Sequence, residues 1–364
     1  MSELSLYVHV PFCKSKCSYC DFYSAPGSSG AVSAYADALC NQIRESKDAG
    51  AEISTVYFGG GTPSLLSKSS FSAICAALRE TFDLSALTEW TVECNPESVS
   101  EEKTNCWLNC GVNRVSMGVQ SFSDPCLNRL GRVHTGAQAK IAYGILRKTG
   151  VKNVSLDLML ALPGQSRADV KNDLEEMLQL QPEHISAYLL SVEPDSRFGR
   201  EGIVEANEET QRSLYLLTDR ILTQAGYEHY EISNFARPGF ASRHNTVYWN
   251  GGDYLGFGPG AAGFRSGVRY RIPADTERYI LSQGRISPLT EEVVNEEERA
   301  RESIFLGLRR SSGIPFSLIP TEKQALARLL VQRGDAEISS GRFALTASGF
   351  LISNQVIASF FSEK

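Results

Sequence analysis

The chain has 364 residues, 42% hydrophobic and 21% charged. That balance excludes a disordered, collagen-like or coiled-coil protein and leaves room for about two domains. With 36 Lys and Arg against 42 Asp and Glu, the net charge is −6, which excludes a broad basic field, so no nucleic-acid partner is expected.

From residue 4 to about 230 short strand patterns alternate with amphipathic helix patterns. The strands expected are Leu4–Val10, Thr55–Phe58, Glu89–Cys94, Asn113–Val119, Asn153–Met159 and His184–Leu190. The helices expected are Ser33–Asp48, Lys68–Phe82, Glu101–Asn109, Gln138–Lys148, Ala168–Leu180 and Glu208–Ala225. Alternation of this kind means parallel pairing with right-handed crossovers. It fits an open doubly wound sheet or a nearly closed barrel. Polar and glycine-rich residues gather at the C-terminal strand ends, where barrel enzymes build their sites. We therefore expect an α/β fold, a partial (β/α)6 TIM-like barrel over residues 1–235.

Beyond residue 235 the character changes. The segment DYLGFGPGAAGFRSG (253–267) reads as loop and short antiparallel strands. Helices are expected near Asp275–Ser282, Glu296–Leu308, Thr321–Arg333 and Ala347–Phe361, with a hairpin over Asp335–Thr346 that turns at Ser-Gly. Residues 236–364 are thus expected to end in a winged-helix-like α+β appendage. The acidic run Glu291–Glu302 reads as one solvated helix face. No apolar run reaches the ~20 residues of a membrane span. The sequence opens directly into SLYVHV without a signal-peptide pattern, so a cytoplasmic location is expected.

Of nine cysteines, three fall within eight residues: Cys13-x3-Cys17-x2-Cys20. A structural zinc needs a fourth ligand. None stands at the usual spacing, although His9 is close. A [4Fe–4S] cluster held by three thiolates keeps one iron open for a small ligand. The remaining six cysteines read as small core hydrophobes, and Cys106 and Cys110 share one helix face. His134 and His184 read as ordinary satisfied histidines.

The loop YVHVPFCKSKCSYCDFYS resembles the signature of radical S-adenosylmethionine (SAM) enzymes. Nearly the whole chain is similar to the oxygen-independent coproporphyrinogen III oxidase-like family, through YFGGGTPS, ECNPES, NRVSMGVQSF, LGRVHT, DLMLALPGQ, HNTVYW and LTASGF. Within that family it looks most like the haem-chaperone branch, marked by His244-Asn245-Thr246-Val247-Tyr248-Trp249. The resemblance implies a [4Fe–4S] cluster on Cys13, Cys17 and Cys20, whose open iron is chelated by SAM. It implies SAM contacts at Tyr7, Tyr19, Phe22, Gly60, Gly61, Thr62, Glu93, Gln120, Arg132 and Asp157. It implies haem as cargo with His244 as a haem contact, haem-receiving target proteins, an electron donor, and peripheral membrane association during delivery.

The residue types suit these roles. Consecutive glycines allow close backbone approach to a ligand. Glu93 and Asn95 share one face of their strand, and Arg132 can pair with a carboxylate. Two other functions stand beside the first: coproporphyrinogen III dehydrogenase and a non-catalytic iron–sulfur binding module. The dehydrogenases resemble CxxxCxxCxC, where this chain has Phe22 at the last position, and they carry an N-terminal extension before the motif. No catalytic residue is assigned.

Overall fold

The computed structural model describes residues 4–361. Six strands lie side by side in parallel: β1 (Leu4–Val10), β2 (Ile53–Gly60), β3 (Glu89–Cys94), β4 (Arg114–Gln120), β5 (Val154–Leu160) and β6 (His184–Leu189). The principal helices that follow them are α1 (Ser29–Arg44), α2 (Lys68–Thr81), α3 (Glu101–Asn109), α4 (Gly136–Lys148), α5 (Arg167–Leu180) and α6 (Glu208–Gln224). Every residue of β4 is buried, as parallel strands covered on both faces require. Ser, Thr and Asn side chains cap most of these helices; Ser28 accepts from the Ala31 N–H and so starts α1 four residues before the expected Ser33.

The sheet continues past both edges of this core. Strand β8 (Asn234–Ala236) adds antiparallel to β6, and β7 (Glu228–Glu231) pairs antiparallel with β8 at the edge. The chain then crosses to the other edge, through α7 (Arg243–Trp249), and lays β9 (Tyr254–Phe257) parallel to β1. Strands β10 (Ala262–Arg265), β11 (Val268–Arg271) and β12 (Leu289–Val293) extend this edge antiparallel, giving twelve strands in one sheet among the described residues. The ends of all six parallel strands line one cavity, so the sheet wraps as a partial barrel.

The change of character near residue 235 therefore marks a switch of sheet edge, and β9–β12 belong to the same sheet. A second hydrophobic core starts only at Ile304 in chain order, apart from Tyr215 on α6, and includes Leu308, Phe343, Phe350 and Ile357. It joins α8 (Glu296–Gly307), α9 (Gln324–Gln332) and α10 (Ser353–Phe361) to a three-stranded sheet of order β13-β15-β14. In that sheet β13 is Ile314–Pro315, and β14 (Ala336–Ser339) and β15 (Arg342–Leu345) form the expected hairpin, with Ser340 and Gly341 both at positive φ.

The acidic run is not one helix face. Glu291 and Glu292 stand on β12, where they pair with Arg271 and Arg269, and α8 begins at Glu296. Among the described residues, no helix is long and apolar enough to cross a membrane.

Candidate functional site

The three clustered cysteines sit half-buried on the loop between β1 and α1. Backbone hydrogen bonds fix that loop: Cys13 N–H donates to Ala25 O (3.1 Å), and Ser18 N–H donates to Leu130 O (2.9 Å). The three thiols border a cavity of about 370 Å3 at the C-terminal ends of the strands. Tyr19, Phe22, Gly60, Gly61, Thr62, Glu93, Gln120, Arg132 and Asp157 line the same cavity. Ten residues were expected to contact SAM, and nine of them meet here.

The tenth, Tyr7, lies behind the wall. Its ring stacks on Tyr57 at 6.2 Å and its hydroxyl bonds His9 Nδ1 at 3.1 Å. His9 bonds Tyr23 O through Nε2 at 2.8 Å. Both of its nitrogens are thus engaged, and it is not placed to add a fourth ligand to the thiol loop.

The glycine run has two physical reasons. Gly60 adopts φ +101°, and a Cβ there would lie 2.5 Å from the His9 ring. A Cβ on Gly61 would lie 2.6 Å from Phe12 O. That closeness lets Gly61 N–H donate to Val10 O (2.8 Å) and Thr62 N–H to Phe12 O (2.7 Å), which ties the loop after β2 to the thiol loop.

A directed chain of hydrogen bonds runs along the strand ends toward Cys13. Arg132 Nη2 donates to Asn95 Oδ1 (2.7 Å), Asn95 Nδ2 to Thr62 Oγ1 (3.1 Å), and Thr62 Oγ1 to Cys13 Sγ (3.6 Å). Arg132 also donates through Nη1 to Cys17 Sγ (3.4 Å) and through Nη2 to Gly118 O (2.6 Å). Its guanidinium therefore leans on a thiol and a backbone carbonyl and is not held free for a ligand carboxylate. A guanidinium and a hydroxyl thus each donate to one of the three sulfurs.

Two carboxyls face the cavity. Burial pushes Glu93 up to about 7, opposed by the hydrogen bond from Tyr57 and raised again by Asp157. Tyr57 Oη donates to Glu93 Oε1 at 2.6 Å. Burial likewise pushes Asp157 up to about 6, against hydrogen bonds from Ser186 and Ser116 and the charge of Arg114. Two half-buried carboxyls, of which Asp157 raises Glu93, are placed to accept from a polar ligand once the cavity fills.

Gln120 carries the plainest sign of an absent partner. It ends β4 at φ +69°, past a register shift against β5. Its side chain is buried, yet Oε1 has no hydrogen-bond partner. A strained backbone that aims an orphaned acceptor into a cavity fits a ligand-binding position. Three thiols, a glycine cradle and this acceptor match the donor set an iron–sulfur group with a bound SAM requires. Among the described residues, no three His, Cys, Asp or Glu side chains already stand together as a single-ion site.

Sequence reading missed Ser116, Met159 and Tyr188 on the cavity wall. The signal was available: Ser116, Gly118 and Gln120, then Asp157 and Met159, follow the period of two on their strands. Cys94, expected as a small core hydrophobe, is buried and also touches the cavity.

His244 lies elsewhere. It is 1% exposed, with Nδ1 bonded to Thr55 Oγ1 (2.7 Å) and Nε2 to Tyr248 Oη (2.7 Å), and it stacks on Tyr57 at 4.9 Å. The expected haem contact is thus a corrected placement, since burial and two engaged nitrogens leave no ring nitrogen facing a ligand. The HNTVYW segment forms α7, whose Arg243 and His244 N–H groups donate to the two oxygens of Glu89 (2.9 and 3.0 Å) at the start of β3. His134 and His184 are core histidines, bonded to Val119 O and to Ser155 and Tyr230 respectively.

Residues 7–177 match the profile of the radical SAM superfamily. "Heme chaperone HemW" of Bacillus subtilis is 34% identical over 380 residues, covering 99% of both chains. The Lactococcus lactis protein of the same name is 37% identical over 314 residues, 85% of this chain and 82% of that one. The Escherichia coli protein of that name is 40% identical over 267 residues, 72% and 70%. Among solved structures, coproporphyrinogen III oxidase HemN of Escherichia coli, titled a radical SAM enzyme, aligns with TM-score 0.84. It is 23% identical and is covered to 90% by 99% of this chain, which shows the shared fold.

Proposed function

Because the chain belongs to the radical SAM superfamily and, within it, to the haem chaperone family HemW, we propose that it binds a [4Fe–4S] cluster, SAM and haem and delivers haem to acceptor proteins. The observation that carries the cofactor part is the strand-end cavity, where three thiols, the glycine cradle and the orphaned Gln120 acceptor meet.

In this reading Cys13, Cys17 and Cys20 hold the cluster, and Arg132 and Thr62 donate to the Cys17 and Cys13 sulfurs. The backbone of Gly60 and Gly61 admits the ligand closely, Glu93 and Asp157 accept from its polar groups, and Gln120 accepts from a donor. Phe22, 64% exposed at the mouth, covers an apolar part of the ligand. When bound, the cluster supplies one-electron reduction of the SAM sulfonium. Haem as cargo, its target proteins and the electron donor rest on the family name.

The test is anaerobic reconstitution followed by three measurements on one sample. Iron should reach four per chain. SAM should change the spectrum of the reduced cluster. Haemin titration should give a saturable Soret band. Conversion of coproporphyrinogen III at an ordinary enzyme rate, on the order of 1 per second, would overturn the chaperone reading in favour of a dehydrogenase.

A further inference from the structure

Behind the cavity wall, a carboxyl and an imidazole face each other between the loops that carry Asn95 and Arg132. After β3 the chain makes a short turn, Pro96–Ser98, capped by Asn95. Glu97 stands on that turn with its side chain 11% exposed. His134, its ring fully buried, lies two residues beyond Arg132 and two before α4. His134 Nε2 is 3.1 Å from Val119 O on β4, and His134 Nδ1 is 3.6 Å from Glu97 Oε2. The second distance is an ion-pair separation, too long for a hydrogen bond. Among the described residues, neither Nδ1 nor Oε2 has any hydrogen-bond partner. Both oxygens facing the ring are acceptors, and a neutral imidazole has a single N–H. Every neutral tautomer therefore turns a ring lone pair on a buried oxygen, which costs about 1–3 kcal/mol. One further proton removes that clash.

We propose that Glu97 and His134 form an imidazolium–carboxylate pair, and that this pair positions Arg132 against Cys17. The second half rests on the cluster-binding function proposed above. The ring ties three segments together: β4 through Val119 O, the turn after β3 through Glu97, and its own turn. On that last turn Arg132 reaches Asn95 Oδ1, Gly118 O and Cys17 Sγ. Neither Glu97 nor His134 lines the cavity, so both act through Arg132. Burial opposes the Glu97 charge, yet His134, its own backbone N–H and Arg132 hold the carboxyl below its ordinary value, which leaves the ring to carry the proton. The other ionisable groups that face the pair are Arg132 and the Cys94 thiol at the end of β3.

Two substitutions separate position from charge. An imidazolium and a carboxylate together carry no net charge. Glu97→Gln with a neutral ring also carries none, and its amide can donate to Nδ1 while Nε2–H stays on Val119 O. Glu97→Met keeps the side-chain length but removes every polar atom, so Nδ1 is left without a partner. With a neutral ring its net charge is zero as well. Differences between the two variants therefore report where Arg132 sits.

The test begins on full-length apoprotein with nitrogen-15 NMR of labelled histidine at pH 7, the His134 signals being assigned by their loss in His134→Asn. Both ring nitrogens of His134 should carry protons in wild type, and only Nε2 in Glu97→Gln. A single ring proton in wild type would overturn the pair. Amide hydrogen exchange of residues 128–135 should be about tenfold faster in Glu97→Met and within about twofold of wild type in Glu97→Gln. Equal exchange in all three proteins, or Glu97→Gln exchanging as fast as Glu97→Met, would overturn the positioning role. After reconstitution, the Glu97→Met cluster should be about tenfold harder to reduce, a midpoint about 59 mV lower for one electron, because the Arg132 bond to a cluster sulfur weakens. Glu97→Gln should stay within about twofold of wild type, and an unchanged potential in Glu97→Met would overturn the link to Cys17. Failure of wild type to take up iron would count against the cluster reading alone, since ring spectrum and amide exchange are both read without it.

Discussion

The two ends of the parallel strands differ in what their polar groups do. At the rim, Glu93, Asp157, Gln120 and the three thiols turn toward a cavity, and Gln120 keeps an unpaired acceptor. At the floor, Glu89, His244, Ser242 and Thr55 spend their hydrogen bonds on one another. Tyr57 spans the two, stacking on His244 below and donating to Glu93 above. Polar residues of one barrel thus divide into a ligand surface and an internal plug. Residue type alone does not separate them; the direction of each lone pair does.

The largest effect separates the rim from everything else. Replacing Cys13, Cys17 and Cys20 together by serine should abolish cluster iron and its brown absorbance while the fold stays intact, because the loop is anchored by backbone bonds at Cys13 and Ser18. Circular dichroism and iron analysis on the same sample check it. Four irons per chain in the triple variant would remove the loop from the cluster site.

At the floor the expected loss is stability. Glu89→Ala removes the acceptor for the Ser242 hydroxyl and for two N–H groups of α7, and removes the charge that most favours the buried Arg114 guanidinium. Leaving these buried donors and a buried cation uncompensated costs about 3–5 kcal/mol. A shift in the denaturation midpoint measures it, and a change below about 1 kcal/mol would show that α7 is not the plug described.

His244→Ala tests whether this plug also holds haem. It should destabilise by about 2–4 kcal/mol, since Thr55 and Tyr248 lose partners and a stacked ring becomes a hole. Haemin affinity should not change by more than about twofold. Loss of the Soret band in a folded variant would mean that α7 leaves the floor to bind, and would restore His244 as a haem contact.

The rim carboxyls titrate where the floor is silent; burial holds His244 down at about 3. The folded protein raises Glu93 to about 7, so folding favours its protonated form. That contribution is fully present below the unfolded value near 4.5 and is lost as pH rises through 7. Relative to Glu93→Gln, wild-type apoprotein should therefore lose roughly 2–3 kcal/mol between pH 4.5 and 7.5. Urea denaturation of both proteins across that range gives the difference directly. Parallel profiles would show that Glu93 is not desolvated.

The sequence made the rim legible and the floor illegible for the same reason. Rim residues follow strand alternation and cluster by type, so Cys13–Cys20, Glu93, Gln120 and Asp157 could be placed together before any coordinates existed. Floor contacts join residues far apart in the chain, such as Thr55 with His244 and Glu89 with Ser242, and no local period announces them. The same limit hid β7 and β8, four and three residues long, and β12, whose five residues are all exposed.

The smallest effect concerns Gln120, where rim strain and ligand binding should trade against each other. A non-glycine residue at φ +69° costs on the order of 1 kcal/mol, and its buried Oε1 adds an unmet acceptor. Gln120→Gly relieves both and removes some packing, so apoprotein stability should stay within about 1 kcal/mol of wild type or rise. A purely structural glutamine would behave oppositely, since its loss would only destabilise. SAM affinity, read from the spectrum of the reduced cluster, should fall about three- to tenfold, the worth of one hydrogen bond in a closed site. A variant that is less stable yet binds SAM as tightly as wild type would move Gln120 from the rim's ligand surface to its packing.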